Sequence, residues 1–219
     1  MKSKFKSFIN NNKYILISGG VALFIITIVY FCYSIIPFGD KIIYRMDLYH
    51  QYGPLFSELY DRITSGESLI FSWNTGLGSP FIGNFFNYLS SPLSFIVLLF
   101  GHKKTFEAVA AMIAIKAVFS SMSLSYYLKK SKNENGPIVI AFGIMYAFCA
   151  YFVAYYWNVM WIDTLYLLPL IALGIEKIIN KGKCANYIIF LSLAIFTNYY
   201  IGFMLCIFSC LYFIYYYFC

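Results

Sequence analysis

Groups able to do chemistry are scarce in this 219-residue chain. Only 11% of it is charged against 61% hydrophobic, so every ionisable side chain needs a reason to be where it is. The densest set runs Asp40-Lys41-Ile42-Ile43-Tyr44-Arg45-Met46-Asp47-Leu48-Tyr49-His50-Gln51-Tyr52. A carboxylate such as Asp47, with an ordinary pKa near ~4, is ionised at neutral pH and can take the proton of an attacking hydroxyl. Aspartate also caps helix N-termini, so residue type alone leaves base and cap as alternatives for Asp47. Asp40 is the runner-up carboxylate, nearer the preceding apolar run. No Ser or Cys stands by His50 in a triad arrangement, so it reads as a hydrogen-bonding interfacial residue rather than a base.

Two further residues stand out. Asp163 closes the stretch Trp157-Asn158-Val159-Met160-Trp161-Ile162-Asp163, where it is a second acid or the cap of the next helix, with a divalent cation as a third use. Lys116 sits about eight to twelve residues from either end of an apolar run, too far for easy snorkelling. An unpaired charge there costs several kcal/mol, so Lys116 should hold a lipid phosphate or neutralise a buried acid. Cys32, Cys149, Cys184, Cys206, Cys210 and Cys219 lie in or beside apolar runs without CxxC spacing, which suits helix packing better than zinc or disulfides. Trp157, Trp161 and many tyrosines fit an interfacial aromatic belt, with a sugar-stacking platform as the lesser alternative.

The elements that position these residues follow from hydropathy. Apolar runs this long cannot all be hidden in a core of this size, so the fold class is an all-α polytopic membrane protein. Tyr14–Ile36, behind Lys2, Lys4, Lys6 and Lys13, exceeds a secretory h-region of about 7–15 residues and lacks a small-residue cleavage site, which makes it a signal anchor. Further spans are expected over Ala108–Leu128, Ile138–Tyr156, from Thr164 to Glu176-Lys177, over a short Tyr187–Phe196, and over Ile201–Phe218. That gives six. Phe85–Phe100 is apolar too, but its sixteen residues reach only about 24 Å, short of a hydrocarbon core of about 30 Å. If it lies flat, Lys2, Lys4, Lys6, Lys13, Lys129, Lys130, Lys132, Lys177, Lys181 and Lys183 share the cytoplasmic side, and only Lys41, Arg45, Arg62, Lys103 and Lys104 are outside. That arrangement obeys the positive-inside rule and puts the N-terminus in the cytoplasm. The net charge of +7 thus serves orientation, and nucleic acid is not an expected partner.

Residues 37–105 then form one extracytoplasmic loop holding most of the polar chemistry. Within it, Leu55, Leu59 and Ile63 recur at helical spacing, with Ser57, Glu58, Asp61 and Arg62 on the other face. Pro54 at the start and Gly66 beyond the end predict an amphipathic interfacial helix over Pro54–Ser65. Ser72-Trp73-Asn74-Thr75-Gly76-Leu77-Gly78-Ser79-Pro80 predicts an ordered turn and lacks the Lys-Ser/Thr of a phosphate loop.

Four segments in order are recognisable. Asp47-Leu48-Tyr49-His50-Gln51-Tyr52, Trp73-Asn74-Thr75-Gly76-Leu77-Gly78, Tyr88-Leu89-Ser90-Ser91-Pro92-Leu93 and Asn198-Tyr199-Tyr200-Ile201-Gly202 together resemble the YfhO family of bacterial membrane proteins, over essentially the whole chain. The resemblance implies a GT-C-like glycosyltransferase of the bacterial cell membrane, decorating a cell-wall polymer such as lipoteichoic acid from a polyprenyl-phosphate-linked sugar. It implies a catalytic acid in the first outer loop, which maps to Asp47, with Asp163 and Asp40 as second candidates and Tyr49, His50, Gln51, Trp73 and Asn74 in support. Because nucleotide sugars stay in the cytoplasm, the donor would be lipid-borne with phosphate as leaving group. Arg45, Arg62, Lys103, Lys104 and Lys116 are then the candidate phosphate-binding cations. No second carboxylate is needed as nucleophile, so direct attack implies inversion. No cofactor beyond an optional divalent cation is implied. Family members are several times longer, which implies that residues 1–219 are a single transmembrane domain from the N-terminal part of a longer protein.

A lipid or polysaccharide flippase or transporter component is the alternative, expected to show broken helices and internal repeats. A non-catalytic anchoring protein would leave the clustering of polar motifs in one loop without a purpose. The topology is testable in a cysteine-free background. Lys103→Cys is expected to react with an impermeant maleimide in intact cells, and Lys132→Cys only after permeabilisation; the reverse pattern would invert the arrangement.

Overall fold

The computed structural model describes residues 2–218, with the side chains of residues 2–5 and 8 outside the described set. Cys219 and the side chains of Lys2 and Lys4 therefore lie outside the described residues. A short helix α1 (Lys2–Asn11) leads into α2 (Lys13–Cys32). The segment between α2 and α6 follows: a π-helical turn over Leu48–Tyr52, α3 (Gly53–Ser65), α4 (Phe81–Asn84) continuing as a π turn over Phe85–Leu89, a 3-10 turn over Pro92–Ile96, and α5 (Val97–Phe100). The bundle is completed by α6 (Thr105–Ser131), α7 (Pro137–Ala147), α8 (Ala150–Tyr155), α9 (Val159–Lys181), α10 (Ala185–Thr197) and α11 (Tyr199–Phe218).

Among the described residues, five helical segments are long and apolar enough to cross a bilayer: Lys13–Cys32, His102–Ser131, Pro137–Tyr155, Val159–Lys181 and Tyr199–Phe218. The sixth expected span falls in α10, whose 13 residues reach only about 20 Å. The apolar segment expected to lie as one flat helix is instead two limbs, Phe81–Leu89 and Pro92–Phe100, bent by 101°. Its break has a local cause: Pro92 cannot donate to the preceding turn, and Ser91 instead caps the second limb by accepting from the Leu93 amide. The amphipathic helix appears as α3, with Pro54 in its first turn and Gly66 left-handed at its end.

Helices α2 and α6 run antiparallel. Tyr30 Oη donates to the Ala110 carbonyl at 2.9 Å near one end, and Ser18 Oγ meets Ser121 Oγ at 2.5 Å toward the other. Gly143 of α7 completes this contact, because a Cβ there would stand 2.4 Å from both Ser18 Oγ and Ser125 Oγ. Any larger residue would force the three helices apart, so small side chains here carry the packing.

Helix α9 packs parallel to α6, which the returning α7–α8 segment allows, and the two are held at mid-bundle by a buried ion pair. Lys116 Nζ stands 3.0 Å from Asp163 Oδ1, 3.0 Å from Oδ2, and 2.7 Å from the Val159 carbonyl. An ammonium has three donors, and these acceptors use them. At the far end Glu176 accepts from Tyr127 at 2.8 Å, Ser131 at 2.8 Å and Tyr212 of α11 at 2.7 Å. Lys129 Nζ contacts Asn12 Oδ1 at 3.3 Å where α1 joins α2. These contacts gather Lys13, Lys129, Lys130, Lys177 and Lys181 at one end of the bundle, and the segment between α2 and α6 lies at the other.

Lys116→Met is expected to lower unfolding stability in detergent by about 3–5 kcal/mol, because Asp163 would keep a buried charge without its counter-ion. Lys116→Met combined with Asp163→Leu should recover most of that loss, a non-additivity that a double-mutant cycle measures directly.

Candidate functional site

The segment between α2 and α6 is built around Arg62. Its Nε donates to Glu58 Oε1 at 2.9 Å and its Nη1 to the Phe71 carbonyl at 3.0 Å, with a further bond to the Ser68 carbonyl. Its guanidinium also lies 4.8 Å from the Phe81 ring centroid. Glu58 in turn accepts from Ser72 Oγ. Arg62 therefore faces inward, 4% exposed, and clamps the irregular 68–72 segment onto α3. The expected turn follows, closed by reciprocal Ser72 and Ser79 backbone bonds of 2.8 Å. Trp73 and Leu77 project from it, exposed. Gly78 is required there: its φ is +106°, and a Cβ would stand 2.7 Å from the Phe71 ring.

Asp47 stands at the start of the Leu48–Tyr52 turn, and its side chain makes no capping hydrogen bond. It is exposed, as are Asp40, His50 and Gln51. Met46 just before it has φ +50°, a left-handed conformation that costs a non-glycine residue about 1–2 kcal/mol. That turn separates Arg45 from the segment carrying Asp47, and it drives Leu48 into the core, where it is fully buried.

The motif residues meet in space. The Tyr52 hydroxyl lies between the Asp47 carboxylate and Asn158, donating to Asn158 Oδ1 at 3.0 Å. Burial first, then the Asp47 charge, push the Tyr52 phenol above its ordinary range, so it stays a donor at neutral pH. The Tyr52 ring lies 5.0 Å from that of Tyr88. Beside Tyr88, the Asn87 carbonyl accepts from Asn198 Nδ2 at 3.2 Å, and Ser90 Oγ donates to the Phe196 carbonyl at 2.6 Å. Asn198 Oδ1 also accepts from the Ile201 amide at 3.0 Å, starting α11. The bent limbs are thus anchored to the α10–α11 junction, and the first, third and fourth recognisable segments form one chain of contacts. Asn158 lies next to Val159, whose carbonyl holds Lys116, so the chain continues to the mid-bundle ion pair.

Asp163 is neither on an outer loop nor a cap. It lies inside α9, fully buried, paired with Lys116 and accepting from Tyr166 Oη at 2.9 Å. Of the two uses open to Lys116, the structure shows the neutralised acid. The five candidate phosphate ligands separate accordingly. Arg62 and Lys116 are occupied by protein groups, whereas Arg45, Lys103 and Lys104 have no ion-pair partner among the described residues. Nor does Lys41, which sequence reasoning did not select. Among the described residues no three His, Cys, Asp or Glu side chains gather as a metal site.

Two cavities flank the Tyr44–Tyr49 segment. One, of about 700 Å³, is lined mainly by apolar residues of the spans, among them Ile26, Val29, Tyr30, Ile113 and Phe152, with Lys41 and Arg45 at its polar edge. The other, of about 570 Å³, is lined by Tyr49, Ser57, His102, Lys103, Thr105 and Phe106. Tyr44 borders both. Lys41 was legible only as a loop cation; its place at the groove depends on the fold-back that joins the Ser34 carbonyl to the Lys41 amide at 2.9 Å.

A helical bundle whose α2–α6 segment carries exposed acids and cations without ion-pair partners among the described residues defines a polytopic membrane protein with a candidate site at the end of the bundle away from its lysine-rich end. The profile of the family described as bacterial membrane protein YfhO matches residues 18–219, and the chain belongs to that family. It is 26% identical over 171 residues to the uncharacterized protein YfhO of Bacillus subtilis (strain 168), a match covering 70% of this chain and 19% of that protein. The chain therefore spans about a fifth of the curated relative's length. No solved structure matches it.

Tyr52→Phe is expected to cost about 1–3 kcal/mol by leaving buried Asn158 without its donor. Hydrogen exchange should rise in residues 47–52 and at the start of α9, and stay unchanged around Glu176.

Proposed function

We propose that this chain is part of a membrane glycosyltransferase that moves a sugar from a polyprenyl-phosphate donor to a cell-wall polymer, such as lipoteichoic acid, or a related acceptor. The observation that carries the reading is the position of Lys41 and Arg45 at the polar edge of an apolar cavity between spans, with Asp47 two residues beyond Arg45 in the chain. A long isoprenoid chain suits that cavity, and its phosphate suits Lys41 and Arg45, which have no ion-pair partner among the described residues. Asp47, held beside the Tyr52 hydroxyl, accepts the proton of the acceptor hydroxyl. The hydroxyl oxygen attacks the anomeric carbon as the bond to the phosphate oxygen breaks, and that bond's electron pair leaves with the lipid phosphate. Lys41 and Arg45 stabilise the charge developing on the leaving oxygen, and the anomeric configuration inverts.

In this reading the basic end of the bundle faces the cytoplasm and Asp47 the outside of the bacterial membrane. Arg62 and Lys116 act structurally, and Asp40 is the reserve carboxylate. A flippase component is the second reading, favoured by the 101° break in Phe81–Phe100.

Asp47→Asn in the full-length protein preserves size and removes the base. It is expected to lower sugar transfer at least about 100-fold, with expression and insertion unchanged, as read by acceptor glycosylation in membranes. Near-normal transfer would remove Asp47 from catalysis. Loss of lipid translocation without any covalent transfer in the wild type would favour the flippase.

A further inference from the structure

Lys103 enters the sequence reading as a ligand for the donor phosphate, but it borders a different cavity from Lys41 and Arg45. The two cavities lie on either side of Tyr44, the apolar one reached by Arg45 and the polar one by Tyr49. Asp47 stands between those two residues in the chain. A transferase needs this arrangement, since the attacking hydroxyl and the leaving phosphate must approach the anomeric carbon from opposite sides.

We propose that the cleft bordered by Tyr49, Ser57, Lys103, Thr105 and Phe106 is the acceptor site, and that it takes a polyhydroxylated molecule carrying negative charge. This assignment rests on the glycosyl-transfer reading and adds the acceptor's place and class. Three features of the cleft argue for it. Aromatic side chains, with Tyr44 and Phe106 edge-to-face at 4.8 Å, offer faces to the C–H surfaces of a sugar or polyol. The Ser57 and Thr105 hydroxyls, 3.3 Å apart, can exchange their mutual bond for ligand hydroxyls. Lys103 has no ion-pair or hydrogen-bond partner among the described residues, and no carboxylate borders the cleft. His102, which does border it, is paired with Asp61 at 2.7 Å, and Glu107 faces Tyr44 from α6. Lys103 is therefore the uncompensated charge at the opening. The cleft differs from the donor cavity in the way the two ligands must differ: one is bordered by hydroxyls, rings and a lysine, the other is lined mainly by apolar span residues.

The experiment uses the full-length protein in detergent, with glucose 6-phosphate as charged probe and glucose as neutral probe, read by saturation-transfer NMR. Glucose 6-phosphate is expected to give transfer at least threefold above glucose, and Lys103→Gln to abolish that excess. Lys132→Gln, at the opposite end of the bundle, should leave it intact. In membranes with a lipid-linked donor, Lys103→Gln should raise the acceptor KM about tenfold without moving the donor KM. Equal binding of the two probes, or an unchanged excess in Lys103→Gln, would overturn the acceptor assignment. An excess lost in Lys103→Gln in a protein that transfers no sugar would uphold the site and refute the glycosyltransferase reading instead. A rise in the donor KM alone would return Lys103 to the donor phosphate.

Discussion

The contact on which the rest of this structure depends is the ion pair between Lys116 and Asp163. Both groups are fully enclosed, in a part of the bundle where neither could remain charged alone. Their three-way contact, including the Val159 carbonyl, sets the height and rotation of α9 against α6. Such a pair adds little net stability, since desolvation offsets most of the attraction, but a wrong register would strand both charges. Its value lies in specifying one arrangement of two long apolar helices that could otherwise slide.

That register reaches the α2–α6 segment through a short path. Holding Val159 fixes the first turn of α9, and with it the Asn158 amide that receives the Tyr52 hydroxyl. Tyr52 belongs to the same turn as Asp47. An exposed carboxylate on an unsupported loop would sample many orientations. Here the buried side of its turn is tied to the bundle, while Met46 holds a strained backbone immediately before it. Tyr88 against Tyr52, and Asn87 against Asn198, bring the bent limbs and the α10–α11 junction into the same support.

The distribution of charge partners divides structural from functional cations. Arg62 is enclosed by Glu58, two carbonyls and the Phe81 ring, and it keeps the α2–α6 segment folded. Lys41, Arg45 and Lys103 have no ion-pair partner among the described residues, the first two lying beside span residues and the third beside hydroxyls and rings; the proposed reading gives them to ligands. The apolar cavity opens between the spans beside the exposed Val29, Tyr33 and Val153, so in the proposed reading an amphipathic ligand keeps its tail among apolar side chains while its head meets the cations.

The sequence by itself determined the class of protein, because hydropathy over about 20 residues is a local property that the bilayer reads directly. It likewise placed α3, whose spacing and flanking Pro54 and Gly66 are local signals, and it singled out Asp47, Lys116 and the polar outer segment. It did not decide the break at Ser90–Ser91, since composition alone cannot distinguish one flat helix from two bent limbs. It could not assign Asp163, whose type fits a cap, an acid or a counter-ion, until α6 brought Lys116 to within 3.0 Å. Nor could it separate Arg62, Lys116, Arg45 and Lys103, four cations with the same formal charge. What distinguishes them is which acceptors the folded chain places within reach, and that is a property of contacts between residues tens of positions apart.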